Sequence, residues 1–121
     1  MNSPIENRIG CLFIPVSDMA CAIRWYSHLL GLAIQETTHE GRIYTLPMQG
    51  DVGLILDSHK PVTNSSQPLC FFWTQDIQRT YTFLVESGVD VLAAPEDIGS
   101  ITTLLFKDPE HNLLMVCQRN G

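Results

Sequence analysis

The side chains of this chain best able to hold a metal or attack an electrophile are four cysteines (11, 21, 70 and 117) and four histidines (28, 39, 59 and 111). No two cysteines stand at the C-x-x-C spacing of a zinc or redox site. A reactive thiol needs a nearby cation or a helix N-terminus to lower its pKa. Cys11, in CLFIPV, and Cys70, in LCFFW, are instead set among apolar neighbours. Packing of small, polarizable side chains is therefore the better reading of both. The histidines fall on a helix rim, in a turn, in a polar connection and in a hairpin turn, where a solvated imidazole is expected. Arg42 could pair with an anion, although a solvent-facing guanidinium beside a turn is the simpler reading. Tyr44 could offer a hydroxyl to a ligand or pack at a sheet edge. No residue is singled out as catalytic.

The elements that must position these groups follow from hydrophobic periodicity. Arg8 to Val16 is apolar on both parities, as a strand covered on both faces would be. Ser17 or Asp18 can cap a following helix. In that helix Ile23, Tyr26 and Leu30 form the buried stripe, Trp25 and Leu29 widen it, and Arg24, Ser27 and His28 lie toward the rim. Gly31 ends it as a left-handed cap. Strands are expected over Leu32–Thr38, Arg42–Met48 and Val52–Asp57, with turns at His39–Gly41 and Gln49–Asp51.

Ser58 to Pro68 is rich in Ser, Pro, Thr and Asn and reads as a connection. The pattern then restarts. A strand at Leu69–Thr74 leads to the cap candidate Asp76 and a helix with the stripe Ile77, Tyr81, Leu84 and Val85. Gly88 stops that helix. A strand follows at Val89–Ala93, and a last hairpin joins Ile101–Lys107 to Asn112–Gln118 through Asp108–His111. The numbers of Cys11 and Cys70 differ by 59, those of Gly31 and Gly88 by 57, and those of Ile55 and Met115 by 60. Near-constant offsets point to two copies of one βαβββ module.

Composition narrows the partners. The chain has 121 residues, enough for one domain with a real core, and seven Lys+Arg against thirteen Asp+Glu give a net charge of −6. Phosphate backbones and anionic membranes call for clustered positive charge, so nucleic acid and membrane partners are not expected. The polar start MNSPIENRIG lacks a signal-peptide pattern, and no apolar run approaches the ~18 residues of a membrane helix. The expectation is a cytoplasmic protein with free thiols.

With these elements in place, the chain resembles the vicinal oxygen chelate superfamily of glyoxalase I, bleomycin-resistance proteins and extradiol dioxygenases. Three segments carry the resemblance: VSDMACAIRWYSHLLGL (16–32), TYTFLVESGVDVLAAP (80–95) and FKDPEHNLLMV (106–116). In the last, His111 stands where the family usually has Gly. The resemblance implies an α+β fold of two tandem βαβββ modules forming a cupped mixed sheet with helices on its outer face. It places a single domain at 8–118, with module one at 8–57, a linker at 58–67 and module two at 68–118. It also implies a homodimer.

Metal-dependent members of the family use His, Glu or Gln on the first and fourth strands of each module. Carried onto this chain, those positions fall at Cys11, Ile55, Cys70 and Met115, which favours no divalent metal and no cofactor. A soft Cys11–Cys70–Met115 site for zinc or copper(I) is the sharper alternative. Strand parity then assigns Cys11, Phe13, Gly53, Ile55, Cys70, Phe72, Leu113, Met115 and Cys117 to the cup, with Tyr44 as a further pocket candidate. Phe71 and Trp73 are assigned to the helix-covered face. The leading reading is a metal-independent member that binds a small hydrophobic or aromatic molecule. The alternative is a lyase, isomerase or dioxygenase-like enzyme with an atypical or absent metal site.

Overall fold

In the computed structural model, which describes residues 3–35, 42–59, 61–62 and 66–121, contacts divide the chain into two compact units, Met1–Pro61 and Val62–Gly121. Both mix helix with sheet, the α+β class expected. None of the described helices is long and apolar enough to cross a membrane.

The first unit begins with β1 (Cys11–Pro15). Pro15 closes the strand, where its missing N–H costs least. Asp18 is extended, and its Oδ1 accepts the Cys21 N–H at 3.1 Å, which caps α1 (Met19–Leu30). The helix buries Ala22, Ile23, Tyr26 and Ser27. Ser27 is thus inside the stripe rather than on its rim, and its buried Oγ has no hydrogen-bond partner among the described residues. At the other end Gly31 has φ 68°, and two N–H groups fold back, Gly31 to His28 O at 3.3 Å and Leu32 to Ser27 O at 2.8 Å. That pair of bonds is a Schellman motif, which needs a residue tolerant of the left-handed region.

Residues 32–35, expected to start a strand, carry none. The Gln35 N–H donates to the Tyr44 hydroxyl at 3.0 Å instead of to a ladder. The rest of that expected strand, with the turn at 39–41, lies outside the described residues, as do linker positions 60 and 63–65. β2 (Ile43–Leu46) and β3 (Gly53–Asp57) complete a three-stranded sheet in the order β1-β3-β2, parallel between β1 and β3 and antiparallel between β2 and β3.

In the second unit β4 (Phe71–Trp73) precedes α2 (Ile77–Glu86), capped by Asp76 Oδ1 accepting the Arg79 N–H at 3.0 Å. α2 buries Ile77 and Leu84, whereas Val85, expected in its stripe, is 53% exposed. The strand expected at 89–93 is shorter, β5 (Asp90–Val91), and a further short strand, β6 (Glu96–Asp97), follows Pro95; both pair β7 (Ile101–Lys107). β8 (Leu113–Arg119) lies between β7 and β4, antiparallel to the first and parallel to the second.

The β7–β8 turn is built by Asp108, which is buried. Its Oδ1 accepts the N–H groups of Glu110 (2.9 Å) and Asn112 (2.8 Å), and its Oδ2 accepts Asn112 Nδ2 at 2.8 Å. This is the local side-chain bonding that makes Asp a turn former. The reversal also puts His111 at φ 68°. The conformation accounts for the glycine that the resemblance led one to expect there.

Candidate functional site

Residues paired across a sheet project to the same face, so register sorts each unit's strands into two sets. In the second unit Phe72 pairs Val116, Val116 pairs Leu104, and Leu114 pairs Phe106. Leu104, Phe106, Leu114 and Val116 are all buried. Gln118 belongs to the same parity, and its Oε1 accepts the Ile77 N–H at the start of α2 at 2.7 Å. This is the face that α2 covers.

The opposite face carries Phe71 paired with Met115, Trp73 paired with Cys117, Cys117 paired with Thr103, and Leu105 paired with Met115. Arg119 and Leu113 share its parity. Phe71 and Trp73 remain 46% and 49% exposed. Their rings meet edge to face, 4.9 Å between centroids at 90°, and Arg119 Cζ lies 3.7 Å from the Trp73 ring centroid. Two aromatic side chains and a guanidinium thus share one accessible patch. Such a surface can stack on a planar ring and supply a positive charge to whatever that ring carries.

The sequence-based assignment of Phe71 and Trp73 to the helix side is therefore corrected, and with it that of Phe72 to the open side. Cys70 precedes β4 and by alternation goes with Phe72. Its carbonyl accepts the Met115 N–H at 3.2 Å, and burial pushes its thiol up to about 11. Burial also raises the pKa of Cys117, which is fully enclosed. Neither thiol has the lowered pKa of a nucleophile. The error has a simple origin. The helix caps Asp18 and Asp76 are 58 residues apart, whereas Cys11 and Cys70 are 59 apart. A one-residue slip in a strand exchanges its two faces.

In the first unit Phe13 pairs Ile55 and Cys11 pairs Gly53, and these four share a face opposite the buried Ile14, Leu54 and Leu56. A Cβ on Gly53 would meet the Cys11 Cβ at 3.4 Å, so the glycine admits the cysteine beside it. Tyr44 pairs Leu56 and is 3% exposed, with its hydroxyl oxygen accepting from Gln35. It is a buried framework residue rather than part of the open face. Arg42 is exposed, as are His28, His59 and His111, while His39 lies outside the described residues. Among the described residues no group of three or more His, Cys, Asp or Glu side chains could hold a metal ion.

Two features escaped sequence reasoning. Alternation counted from Cys70 assigns Trp73 and Phe71 to the helix side, and it gives Arg119 no role. Counting outward from the cap Asp76 rather than between cysteines would have found the first. The alternation from Met115 through Cys117 would have found the second.

Comparison with known proteins places this geometry among relatives. The chain is 25% identical over 118 residues to YurT of Bacillus subtilis, covering 86% of this chain and 93% of that protein. It is 23% identical to virulence protein STM3117 of Salmonella typhimurium, over 94% of this chain and 85% of that one. Among solved structures, TnmS3, an antibiotic binding protein from Streptomyces sp. CB03234, matches with a TM-score of 0.76 and 25% identity, covering 98% of this chain and all of that one. A glyoxalase/dioxygenase from Nostoc punctiforme has the same TM-score at 15% identity, over 100% and 99% of the two chains, and shows the shared fold. The family model that matches spans residues 8–116, and the chain belongs to the Glyoxalase/Bleomycin resistance protein/Dioxygenase superfamily.

Proposed function

We propose that this protein binds a small aromatic molecule without a metal ion, and that the open face of the Val62–Gly121 unit is the binding surface. The observation that carries the reading is the half-exposed Phe71–Trp73 pair beside Met115 on a face that α2 leaves uncovered. Large aromatic side chains left accessible together mark interaction surfaces. Similarity to an antibiotic binding protein over nearly the whole chain supports a binding role.

The metal-free part rests on donor chemistry. The family's metal positions fall on this chain at Cys11, Ile55, Cys70 and Met115, and none of the four is His, Glu or Gln. Ile55 has no donor atom, burial raises the pKa of the Cys70 thiol, and a thioether does not suit a hard or borderline cation. The residues do not fit the family's metal. The conclusion is the stronger if the third position is counted as Phe71, which pairs Met115 and has no donor atom.

Fluorescence titration of Trp73 with a panel of aromatic compounds, alongside thermal unfolding and metal analysis, tests both parts. A binder at 100 times its Kd should quench the indole and stabilise the protein by about 2.7 kcal/mol. Failure of every compound to do either would sink the binding reading. Stoichiometric metal that only a chelator removes would sink the metal-free part.

A further inference from the structure

We propose that Arg119 selects for acidity: the ligand of the Phe71–Trp73 surface is an aromatic compound carrying an anionic group, and the guanidinium is its counter-charge. This rests on the binding reading above and narrows it from any aromatic molecule to an aromatic acid.

The placement of the charge carries the inference. Arg119 is the last residue of β8, on the face of Trp73, with its Cζ held 3.7 Å over the indole centroid. A cation over an aromatic face is attracted by the ring quadrupole, so the guanidinium is kept at the aromatic patch rather than swinging into solvent. Its charge is not neutralised there. Among the described residues no ion pair joins a carboxylate to Arg119. Of the acidic side chains that register puts on its face, Glu96 pairs with Thr103 and Asp90 with Lys107, each on a strand two away from β8.

A chain of net charge −6 repels anions at long range, so an anionic ligand needs a local cation to be taken up at all. A planar fork of N–H donors suits a carboxylate or a sulfonate better than it suits a neutral ring substituent. Phe71 and Trp73 supply the stacking area, and Arg119 supplies the sign.

The test uses matched acid and amide pairs built on one, two and three fused aromatic rings, such as naphthoate with naphthamide. Binding is followed by calorimetry and by Trp73 fluorescence in a Trp25→Phe background. At low ionic strength the intact protein should bind the best acid about tenfold more tightly than its amide, the difference expected of one charge-assisted contact. Added salt should erode the preference. Arg119→Gln, which keeps the length and loses the charge, should remove the preference while leaving amide binding within about twofold. A purely structural role for Arg119 would weaken both members of a pair alike, and that result would overturn the proposal. Equal binding of acid and amide by the intact protein would also overturn it, leaving the aromatic-binding reading in place. Binding of neither member at any ring size would overturn both.

Discussion

The two units follow one local plan and present different chemistry. Each has a first strand parallel to its last, β1 with β3 and β4 with β8. Each has an aspartate capping its helix, and each helix is followed by a glycine at positive φ. On the open face of the first, Phe13 is 56% exposed beside Ile55, Cys11 and Gly53. On the open face of the second, the equivalent Phe71 is joined by Trp73 and Arg119. Counting from the caps, Trp73 corresponds to Pro15, a residue that can neither stack as widely nor donate. A shared local plan therefore leaves the chemistry of the open face free to differ between the units.

The sharpest way to separate scaffold from site is to alter the covered face. Phe106 and Leu114 are fully buried beneath α2, and Phe106→Ala should cost about 3–5 kcal/mol in urea unfolding. Trp73→Ala, on the other side of the same sheet, should leave unfolding nearly unchanged. It should weaken aromatic binding about tenfold by calorimetry, whereas Phe13→Ala should change binding less than about twofold. Equal losses from the two substitutions would break the contrast between the units.

Smaller effects probe the parts that the units share. Asp18→Ala and Asp76→Ala should each cost about 1 kcal/mol, since each removes the acceptor of one helix-start N–H. Cys70 offers a pH test with a definite sign. Its folded pKa is raised from 9.0 to about 11, so the stability it contributes is complete below about 9 and is lost as pH climbs toward 11. Stability measured by urea unfolding across that window should fall less steeply in Cys70→Ala. The smallest change expected is a gain. His111→Gly relieves a left-handed side chain and should stabilise by about 1 kcal/mol or less, read as a shift in the urea midpoint.

Most of the framework was legible because local chemistry dictates it. Asp18, Gly31, Asp76 and the Asp108 turn are each set by hydrogen bonds within a few residues of sequence. Less could be read where long-range pairing decides. The shortness of β5, the extra strand β6 and the loss of ladder bonds at residues 32–35 depend on partners such as β7 and Tyr44 that no short window contains. The face of Trp73 belongs to this second kind. Alternation along β4 was plain, yet the choice between its two phases turned on one residue of offset, and only the pairing with β8 settles it.

The separation of faces by register also bears on how readily this surface can change. Positions 71, 73 and 119 contribute accessible side chains, while the neighbours that hold the sheet to α2, such as Leu104, Phe106 and Leu114, alternate with them on the far side. Under the proposed binding, substitutions at the first set should alter recognition with little load on folding. Single substitutions there should then change the preferred ligand and still leave a folded protein behind. The fully enclosed Cys117, beneath Trp73 in the same row, is the exception. It marks where that freedom stops.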